Sequence, residues 1–583
     1  MIALRHSVLY CARFKSVGEG ARQMNPESVS REMGTLRAAP QKALARQPLS
    51  LTLVFQAQRE LSAGACLRFH IPLACPRPQW DSPLKAGYCA CECGPNARVT
   101  LSHGRTGHPK DRAYVERWGH AVYAQVAEGK LSPGDCVTLR YGGEASRAAL
   151  PWGEPEATLA PFFSGRFPLD FAVDPDGSRA APYSGMLRLA EGCFLEVEPL
   201  PACREKTFPC ARGRAVVGFD SMDNPSAVRW LKTPAPCGAP RGYEIYFGDI
   251  HCHSAFSDGL GSPMDCYRFA RDWIGLDFCA VTDHAQYVSD AEWEESCRAA
   301  NRMNRDGSFV TLVGYELSHP QAGDKNLYYP GDGGPLLREK SLDLETVYPV
   351  EAYVEKWLAH RAMMTAHLHA RHLQAFRHTE LCRLIEVYSN WGCCEQAGAQ
   401  PPFIPALRAD FTGQYALDAL QSGWRVGFCA NSDDHMARPG WSGWHRVERA
   451  YHGGLTAVYA TALTRKAVFD ALYRRHTYAT SGARMRVFCT ANGVLPGECL
   501  PAGSVRFEIE AAGEQPIAGL ELIHNGQVVW RRAGTGGACL KAAPEMPLRD
   551  GFCYLRVKQS DGHTAWVSPF YLRHSSRKGG LSK

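Results

Sequence analysis

Histidine and acidic residues follow a series of strand-like segments in the middle of the chain. The segments end in HCH (251–253), TDH (282–284), GYE (314–316), AHLH (366–369) and SDDH (432–435). Imidazole and carboxylate groups are ligands of zinc, manganese and iron. A single histidine at a strand end is usually a structural residue held by hydrogen bonds. This many endings together favour a metal site instead, because buried charged groups need partners.

The spacing within two of these segments suits coordination of one ion by two side chains. Side chains two residues apart in an extended segment point the same way, so His251 and His253 can bind one ion, as can Asp433 and His435. Ions in such a site lower the pKa of a bound water and stabilise negative charge on substrate oxygens. The residues therefore predict metal-dependent hydrolysis, with His253, His284 and Asp433 at its catalytic centre.

Cationic residues in the later loops can bind an anionic group of a substrate. They are Arg438, just after SDDH, and Arg475, His476 and Arg484 within RRHTYATSGARM. Arginine donates two parallel hydrogen bonds to phosphate or carboxylate oxygens, although a structural salt bridge accounts equally well for any one of these residues. We predict a small anionic substrate, most simply a phosphorylated one.

The composition is that of a soluble globular chain with several domains. The chain has 583 residues, 45% of them hydrophobic, and a net charge of +6 with both signs interspersed. A nucleic-acid binder would show a concentrated basic stripe, so no nucleic acid is expected as a partner. The sequence shows neither an apolar run of about 18 residues nor a clear signal-peptide core. We expect a cytoplasmic protein that spans no membrane and whose 23 cysteines are mostly buried free thiols.

The texture of the sequence divides the chain into five segments. They are a loosely ordered N-terminal segment (1–47), a β-rich N-terminal domain (48–240) that ends in a Pro/Gly-rich linker (231–242), a domain of alternating strands and helices (241–485), a β-sandwich-like C-terminal domain (486–575) and a tail (576–583). Alternating strands and helices predict parallel βα units, whose strand ends meet on one face. Helices are predicted after Ser262 and Thr464, and a hairpin turn at 524–527.

The motifs of the middle domain resemble those of a known family. YFGDIHCHSAFSDG, AVTDH, LVGYE, AHLH and SDDH resemble the successive motifs of the polymerase and histidinol phosphatase (PHP) domain. The longer series that adds IEVYSNWG, GGLTAVYA and RRHTYATSGARM resembles its branch known as domain-of-unknown-function family 3604. The resemblance covers roughly residues 50–572 and is strongest across 243–485.

The resemblance implies a fold and a metal centre. The fold would be a distorted (β/α)7 barrel of PHP type, flanked by β-rich, sandwich-like domains at both ends. The centre would hold two or three divalent ions (Zn, Mn or Fe) and hydrolyse phosphoesters with a hydroxide that bridges the ions. The ligands carried over are His251, His253, Glu316 and Asp433 for the first ion, Glu316 and His367 for the second, and Asp258, His284 and His435 for the third.

One segment departs from the pattern of the family. Relatives usually have a histidine soon after GYE, in a segment like GHxN, where this chain has Gly-Asp-Lys-Asn at 323–326. Asp324 is the preferred replacement as ligand, and His319 or no residue at all are the alternatives. His369 is an alternative to His367, because both point the same way on an extended strand.

Two other functions remain open at this level. The same centre can hydrolyse a non-phosphate ester, an amide or a lactone. A non-catalytic binding protein with a relic barrel is the third hypothesis, but a relic would have lost several of the ligand positions. The sequence predicts neither the substrate nor the oligomeric state.

Overall fold

The computed structural model describes most of the chain between residues 33 and 573. The gaps in this range are 73–74, 84, 103–118, 143–156, 162–163, 170, 176–186, 189–192, 211–212, 222–223, 232–241, 320–322, 340–346, 368–375, 400–413 and 442–452. Most of the predicted linker, the tail, the start of the N-terminal segment and His369 therefore lie outside the described residues.

The N-terminal region is built from short strands. They are β1 (Gly34–Ala39), β2 (Lys42–Leu44), β3 (Leu51–Ala57), β4 (Leu61–Ser62), β5 (Cys66–Pro72), β6 (Cys89–Cys93), β7 (Ala97–Ser102), β8 (Gly119–Leu131), β9 (Cys136–Tyr141), β10 (Gly165–Leu169), β11 (Phe171–Asp174), β12 (Leu187–Arg188), β13 (Cys193–Glu198), β14 (Arg204–Cys210), β15 (Gly213–Phe219) and β16 (Pro225–Leu231). Leu51, Leu53 and Phe55 of β3 are buried, and the residues between them are less so, which is the period-two pattern of a strand on a core. The predicted β-rich texture is present in the structure.

Strand structure begins earlier than the sequence predicted. Residues 34–44, placed in the loosely ordered segment, form β1 and β2. β1 pairs antiparallel with β3, from Gly34 opposite Ala57 to Ala39 opposite Thr52. The small and charged side chains of β1 give a weak local pattern, and the backbone of β3 supplies the hydrogen bonds that order it. The prediction of a loosely ordered segment is therefore wrong for the residues of β1 and β2.

The middle region contains the strands that lead to the metal-capable residues. They are β17 (Glu244–Asp249), β18 (Phe278–Val281), β19 (Val310–His319), β20 (Gly323–Tyr329), β21 (Met363–Ala366), β22 (Cys382–Ser389), β23 (Gly392–Cys393), β24 (Gly427–Ala430), β25 (Leu455–Ala460) and β26 (Thr477–Thr480). β17, β18 and β19 are mutually parallel, and so are β21, β22 and β24. β20 pairs antiparallel with both β19 and β21, so the two sets run in the same direction. Their C-terminal ends therefore lie at one edge of the sheet.

Helices connect several of these strands. They are Pro263–Arg268, continued by a π-helix at Phe269–Trp273, then Asp290–Met303, a short 3-10 helix at Val350–Tyr353, Val354–Ala359, Ala416–Gln421 and Arg465–Arg474. The helices predicted after Ser262 and Thr464 are confirmed, and each of these two residues caps the first turn with its side chain. Among the described residues, strand pairing does not trace a closed ring, so the (β/α)7 barrel stays a prediction.

The C-terminal region returns to strands. They are β27 (Arg486–Ala491), β28 (Cys499–Pro501), β29 (Gly503–Ala512), β30 (Ile517–His524), β31 (Gln527–Ala533), β32 (Cys539–Ala542), β33 (Glu545–Leu548), β34 (Gly551–Gln559), β35 (Thr564–Val567) and β36 (Phe570–Arg573). The predicted hairpin joins β30 to β31, with positive φ at Asn525 and Gly526. β35 pairs with β26, so the C-terminal sheet continues the middle one. No helix in the described part of the chain is long and apolar enough to cross a membrane.

A buried carboxylate fastens the middle region to the C-terminal sheet. Glu395 accepts hydrogen bonds from Tyr554 Oη (2.7 Å), Arg556 Nη1 (2.8 and 2.9 Å) and Trp566 Nε1 (2.7 Å). The side chains of Glu395 and Arg556 are only 2% and 9% exposed. The pair is therefore largely desolvated, and removal of Glu395 would leave the buried guanidinium of Arg556 without this partner.

We expect Glu395→Ala to lower the free energy of unfolding by about 3 kcal/mol, since removing one member of a buried ion pair typically costs that much or more. Urea unfolding followed by tryptophan fluorescence measures the effect. Glu545→Gln is the matched control, because Glu545 is exposed and its side chain accepts only from Ser504 in the described contacts. Coincident unfolding curves for Glu395→Ala and the wild type would contradict the role given to this carboxylate.

Candidate metal centre

The predicted ligands lie at the edge of the sheet where the parallel strands end. His251 and His253 follow β17, and His284 follows β18. Glu316 lies within β19, where the isolated bridge from His284 to Glu316 extends the pairing of β18 with β19. His367 follows β21 directly, and Asp433 and His435 follow β24. The topology thus brings together residues that are far apart in sequence.

Four of these residues form a compact nest of donor atoms. His251 Nε2 and His253 Nε2 lie 3.2 Å from each other, and 3.2 and 3.1 Å from Glu316 Oε2. Asp433 Oδ1 lies 3.3 and 3.1 Å from the same two nitrogens. Donor atoms on a tetrahedral zinc ion with bonds of about 2.0–2.1 Å lie about 3.3 Å from one another. Five of the six distances among these four atoms thus match the spacing of ligands on a divalent ion, and we call the four residues the inner nest.

A second group of donors adjoins the inner nest. Ligand atoms of His253, Asp258, His284 and His435 all lie within 4.8 Å of one another. Asp258 Oδ1 is 3.3 Å from His435 Nε2, 3.7 Å from His284 Nε2 and 3.8 Å from His253 Nδ1. The residues that the family resemblance assigned to a third ion are thus brought together, Asp258 included.

Glu386, on β22, belongs to the centre and was missed in the sequence. Its carboxylate accepts from His367 Nδ1 at 2.6 Å, His251 Nδ1 at 3.1 Å and Asn431 Nδ2 at 2.6 Å. These contacts engage the Nδ1 atoms of both imidazoles, and His367 Nε2 lies 3.4 Å from Asp433 Oδ2. Carboxylates that bind the remote nitrogen of a histidine fix its orientation toward a metal. Glu386 therefore holds both rings with Nε2 toward the inner nest.

The electrostatics of the cluster follow from burying both charge signs together. Burial alone would lower the pKa of His253, but Asp433 and Glu316 outweigh it and raise that pKa to about 10. Burial would also lower the pKa of His367, but Glu386 and Asp433 outweigh it and raise that pKa to about 9. Burial would raise the pKa of Glu386, whereas His251 and His367 bring it down to about 2. Against the effect of burial, the neighbouring imidazoles hold the pKa values of Asp258, Glu316 and Asp433 well below the usual carboxyl range, so positive charge beside these carboxylates, from imidazoles or from a bound cation, is favourable.

The backbone at Asp433 is held in an unusual conformation. Its φ of 53° lies in the left-handed region, which Asp and Asn tolerate better than most residues. Asp433 N donates to the His251 carbonyl at 2.8 Å, and Asn390 Nδ2 donates to the Asp433 carbonyl at 3.0 Å. Trp391 Nε1 donates to Asp433 Oδ2 at 2.6 Å. These contacts set the direction of the carboxylate before any ion binds.

The loop that carries Asp258 is fixed by Asp283 of the TDH segment. Asp283 accepts from Ser254 N (2.7 Å), Ser254 Oγ (2.6 Å) and Ser257 Oγ (2.6 Å). Its two carboxylate oxygens are thus engaged by the loop. By holding these two serines, Asp283 positions the neighbouring His253 and Asp258.

The N-terminal region covers one side of the cluster. Leu260, two residues after Asp258, and Met436, directly after His435, belong to the hydrophobic core of that region. Trp391 packs against the same core. The loops of the metal centre are thus held between two domains. Among the residues of the inner nest and the second donor group, His284 has the most exposed side chain, at 15%, so it marks the side of the cluster nearest solvent.

Asp324 and His319 were the candidates for the ligand position where relatives have a histidine soon after GYE. Asp324 lies on the same face of the sheet as Glu316. Burial raises the pKa of Asp324, and the negative charge of Glu316 raises it further. Its hydroxyl partner Ser318 also contacts His284 Nδ1, at 2.9 Å. His319 Nε2 lies 3.0 Å from the Tyr348 carbonyl. The assignment of Asp324 stays a prediction.

The four residues predicted to bind substrate have structural partners. Arg475 donates to the Gly497 carbonyl (3.2 Å), and Arg484 donates to the Ile274 and Gly275 carbonyls. His476 Nε2 lies 2.8 Å from Glu498 Oε1. Arg438 is fully buried, 5.4 Å above the Phe269 ring, and burial lowers its pKa to about 10 despite Asp434 and Asp220. These contacts are with backbone carbonyls, a carboxylate and a ring, and the assignment of the four residues to substrate binding stays a prediction.

Comparison with known proteins places part of this chain in context. Residues 421–494, which include Asp433 and His435, match the family described as "Protein of unknown function (DUF3604)". The match supports the resemblance to that family over this segment. The comparison therefore reaches the DxH ligands but not the HxH, TDH or GYE segments.

Relatives and one solved structure extend the comparison. Uncharacterized proteins of Chlamydia trachomatis serovar D and Chlamydia muridarum are each 25% identical, over 377 and 383 residues, covering 59% of this chain. The chain spans about 60% of the length of these relatives. A Bacteroides vulgatus structure described as a two-domain protein containing a predicted PHP-like metal-dependent phosphoesterase covers 59% of this chain and 99% of its own, at 14% identity and a TM-score of 0.32. That TM-score marks a weak likeness.

Proposed function

We propose that the protein is a metal-dependent hydrolase of phosphoesters, with two or three divalent ions (Zn, Mn or Fe) at the candidate centre. The observation that supports this most is the inner nest, in which the Nε2 atoms of His251 and His253 lie 3.1–3.3 Å from each other and from carboxylate oxygens of Glu316 and Asp433. Mixed imidazole and carboxylate donors at that spacing fit a divalent cation. A PHP-type (β/α)7 fold is part of the proposal, supported by the parallel strands that end at the cluster.

The proposal gives several residues around the candidate centre a definite task. Bound divalent ions would supply an activated water and charge stabilisation for a phosphate group. Glu386 keeps the imidazoles of His251 and His367 in their orientation, and Trp391 keeps Asp433 in its own. The substrate would be a small phosphorylated molecule that approaches from the side of His284, the most exposed ligand.

A panel of chromogenic substrates tests the proposal. The full chain, stripped with a chelator and reloaded with Mn²⁺ or Zn²⁺, is assayed on an aryl phosphate, a bis-aryl phosphodiester and an aryl acetate. We expect hydrolysis of a phosphate substrate only after reloading. The chelator-treated protein without added metal is the control. Faster turnover of the acetate would favour the non-phosphate ester function, and metal-independent turnover would contradict the proposal.

A further inference from the structure

Asn326 points into the metal centre from a strand beside Glu316. In the antiparallel pair of β19 and β20, Asn326 lies directly opposite Glu316, and across β21 it lies opposite Thr365. Side chains of directly opposed residues project from the same face, with Cβ atoms about 5 Å apart. Glu316 reaches His251 and His253 on that face. The carboxamide of Asn326 is therefore directed at the same interior.

The carboxamide is buried without a hydrogen-bond partner. Asn326 is 0% exposed, and neither its Oδ1 nor its Nδ2 has a partner among the described residues. The same is true of Glu316 Oε1, although Glu316 Oε2 contacts the two histidines of the inner nest. Buried amides nearly always find a partner, and an unsatisfied one in a native structure points to a bound water, ion or ligand.

His367 completes the surroundings of these two groups. It follows Thr365 by two residues, and its backbone N–H donates to the Asp324 carbonyl at 3.1 Å, which keeps it beside β20. Its Nδ1 is bound by Glu386, so its Nε2 is the atom available to a cation. Glu316, Asn326 and His367 thus offer a carboxylate oxygen, an amide oxygen and an imidazole nitrogen from three adjacent strands.

We propose that Asn326 Oδ1 is a ligand of a second divalent cation, shared with Glu316 Oε1 and His367 Nε2, beside the ion of the inner nest. The inference rests on the proposed function, because it deepens the same centre. Under this proposal Asn326, and not Asp324, takes the ligand position that relatives fill with a histidine soon after GYE. An amide oxygen is a hard, neutral donor that Mn²⁺ accepts, so Mn²⁺ is a suitable probe of this site.

Metal titration of the full chain tests the assignment. Equilibrium dialysis against Mn²⁺, with metal counted by mass spectrometry, gives the number and affinity of bound ions. We expect Asn326→Ala to weaken the binding of one ion by at least about 10- to 100-fold, the cost of losing even a group that orients a ligand, and to leave another ion unchanged. Asn326→Asp keeps an oxygen at this position, so we expect it to retain both ions. Asn301→Ala, on the surface helix Asp290–Met303, is the matched control and should bind as the wild type does.

The outcomes separate the two proposals. If the wild type binds Mn²⁺ and Asn326→Ala binds it with equal number and affinity, Asn326 holds only a buried water and the inference is overturned, while the metal centre stands. If Asn326→Ala does not fold, Asn326→Asp decides, since weakened Mn²⁺ binding in that variant also overturns the inference. If the wild type binds no divalent ion, the proposed function itself fails.

Discussion

Replacing Asp433 with asparagine is expected to lower kcat/KM for a phosphoester by about 10³-fold or more, because this carboxylate contacts three imidazoles of the proposed metal centre. Asp433 Oδ1 lies 3.3 and 3.1 Å from the Nε2 atoms of His251 and His253, and Oδ2 lies 3.4 Å from His367 Nε2. Asparagine keeps the shape of the side chain but removes its charge and places a donor where an ion needs an acceptor. It also tolerates the φ of 53° at this position, where alanine would add strain.

The assay compares Asp433→Asn with a matched control at equal metal concentration. Asp332→Asn changes the same functional group on a side chain that is 91% exposed, and we expect it to retain wild-type activity. Circular dichroism and thermal unfolding establish that the Asp433 variant is folded. A folded Asp433→Asn protein with more than about a tenth of wild-type kcat/KM would show that this carboxylate does not hold the ions.

Replacing Glu386 with glutamine is expected to weaken divalent-metal affinity by about 10- to 100-fold, the usual effect of losing a group that orients a ligand. Glu386 accepts from both His367 and His251, and also from Asn431. A glutamine amide has one acceptor and one donor end, so it cannot accept from all three groups. The two imidazoles would lose their fixed orientation while keeping the atoms that bind metal.

The metal dependence of activity distinguishes this positioning role from that of a ligand. We expect Glu386→Gln to need a higher Mn²⁺ concentration for half-maximal activity, and excess Mn²⁺ to restore most of kcat. Glu295→Gln, on the exposed face of the helix Asp290–Met303, serves as control. An unchanged Mn²⁺ requirement would exclude the orienting role, and a loss that excess metal does not relieve would identify Glu386 as a direct ligand.

Sequence reasoning predicts, from short motifs, residues that the structure brings together in the candidate centre. His251 and His253, or Asp433 and His435, are separated by one residue, so an extended backbone alone places each pair on one side. The two pairs come together because parallel strands end at the same edge of the sheet. The alternation of strand and helix patterns in the sequence predicted such parallel strands. The position of Asp258 was available only through resemblance, because nothing in its local sequence marks it as a ligand.

Residues whose role depends on the register between strands could not be found in this way. Glu386 reads as one acid in the apolar strand Cys382–Ser389, and its contacts with His251 and His367 exist only once β22 lies beside β21 and β24. Asn326 becomes notable only through its pairing with Glu316 and its missing hydrogen bonds. Conversely, Arg438 lies close to SDDH in sequence, yet its side chain is buried over Phe269.

The contribution of the N-terminal region was also beyond the sequence. Its β texture was predicted, but the packing of Leu260 and Met436 into its core was not, because such contacts join segments that are distant along the chain. The strands at residues 34–44 were missed for a related reason, since partner strands rather than their own side chains order them. The structure thus makes this region one wall of the metal centre.

Anomalous X-ray scattering from crystals grown with Mn²⁺ or Zn²⁺ tests the central claim most directly. We predict an anomalous peak within the inner nest, between His251, His253, Glu316 and Asp433, and at least one more peak beside Glu316 or Asp258. Crystals soaked in metal at millimolar concentration that show no anomalous density at these residues would contradict the account.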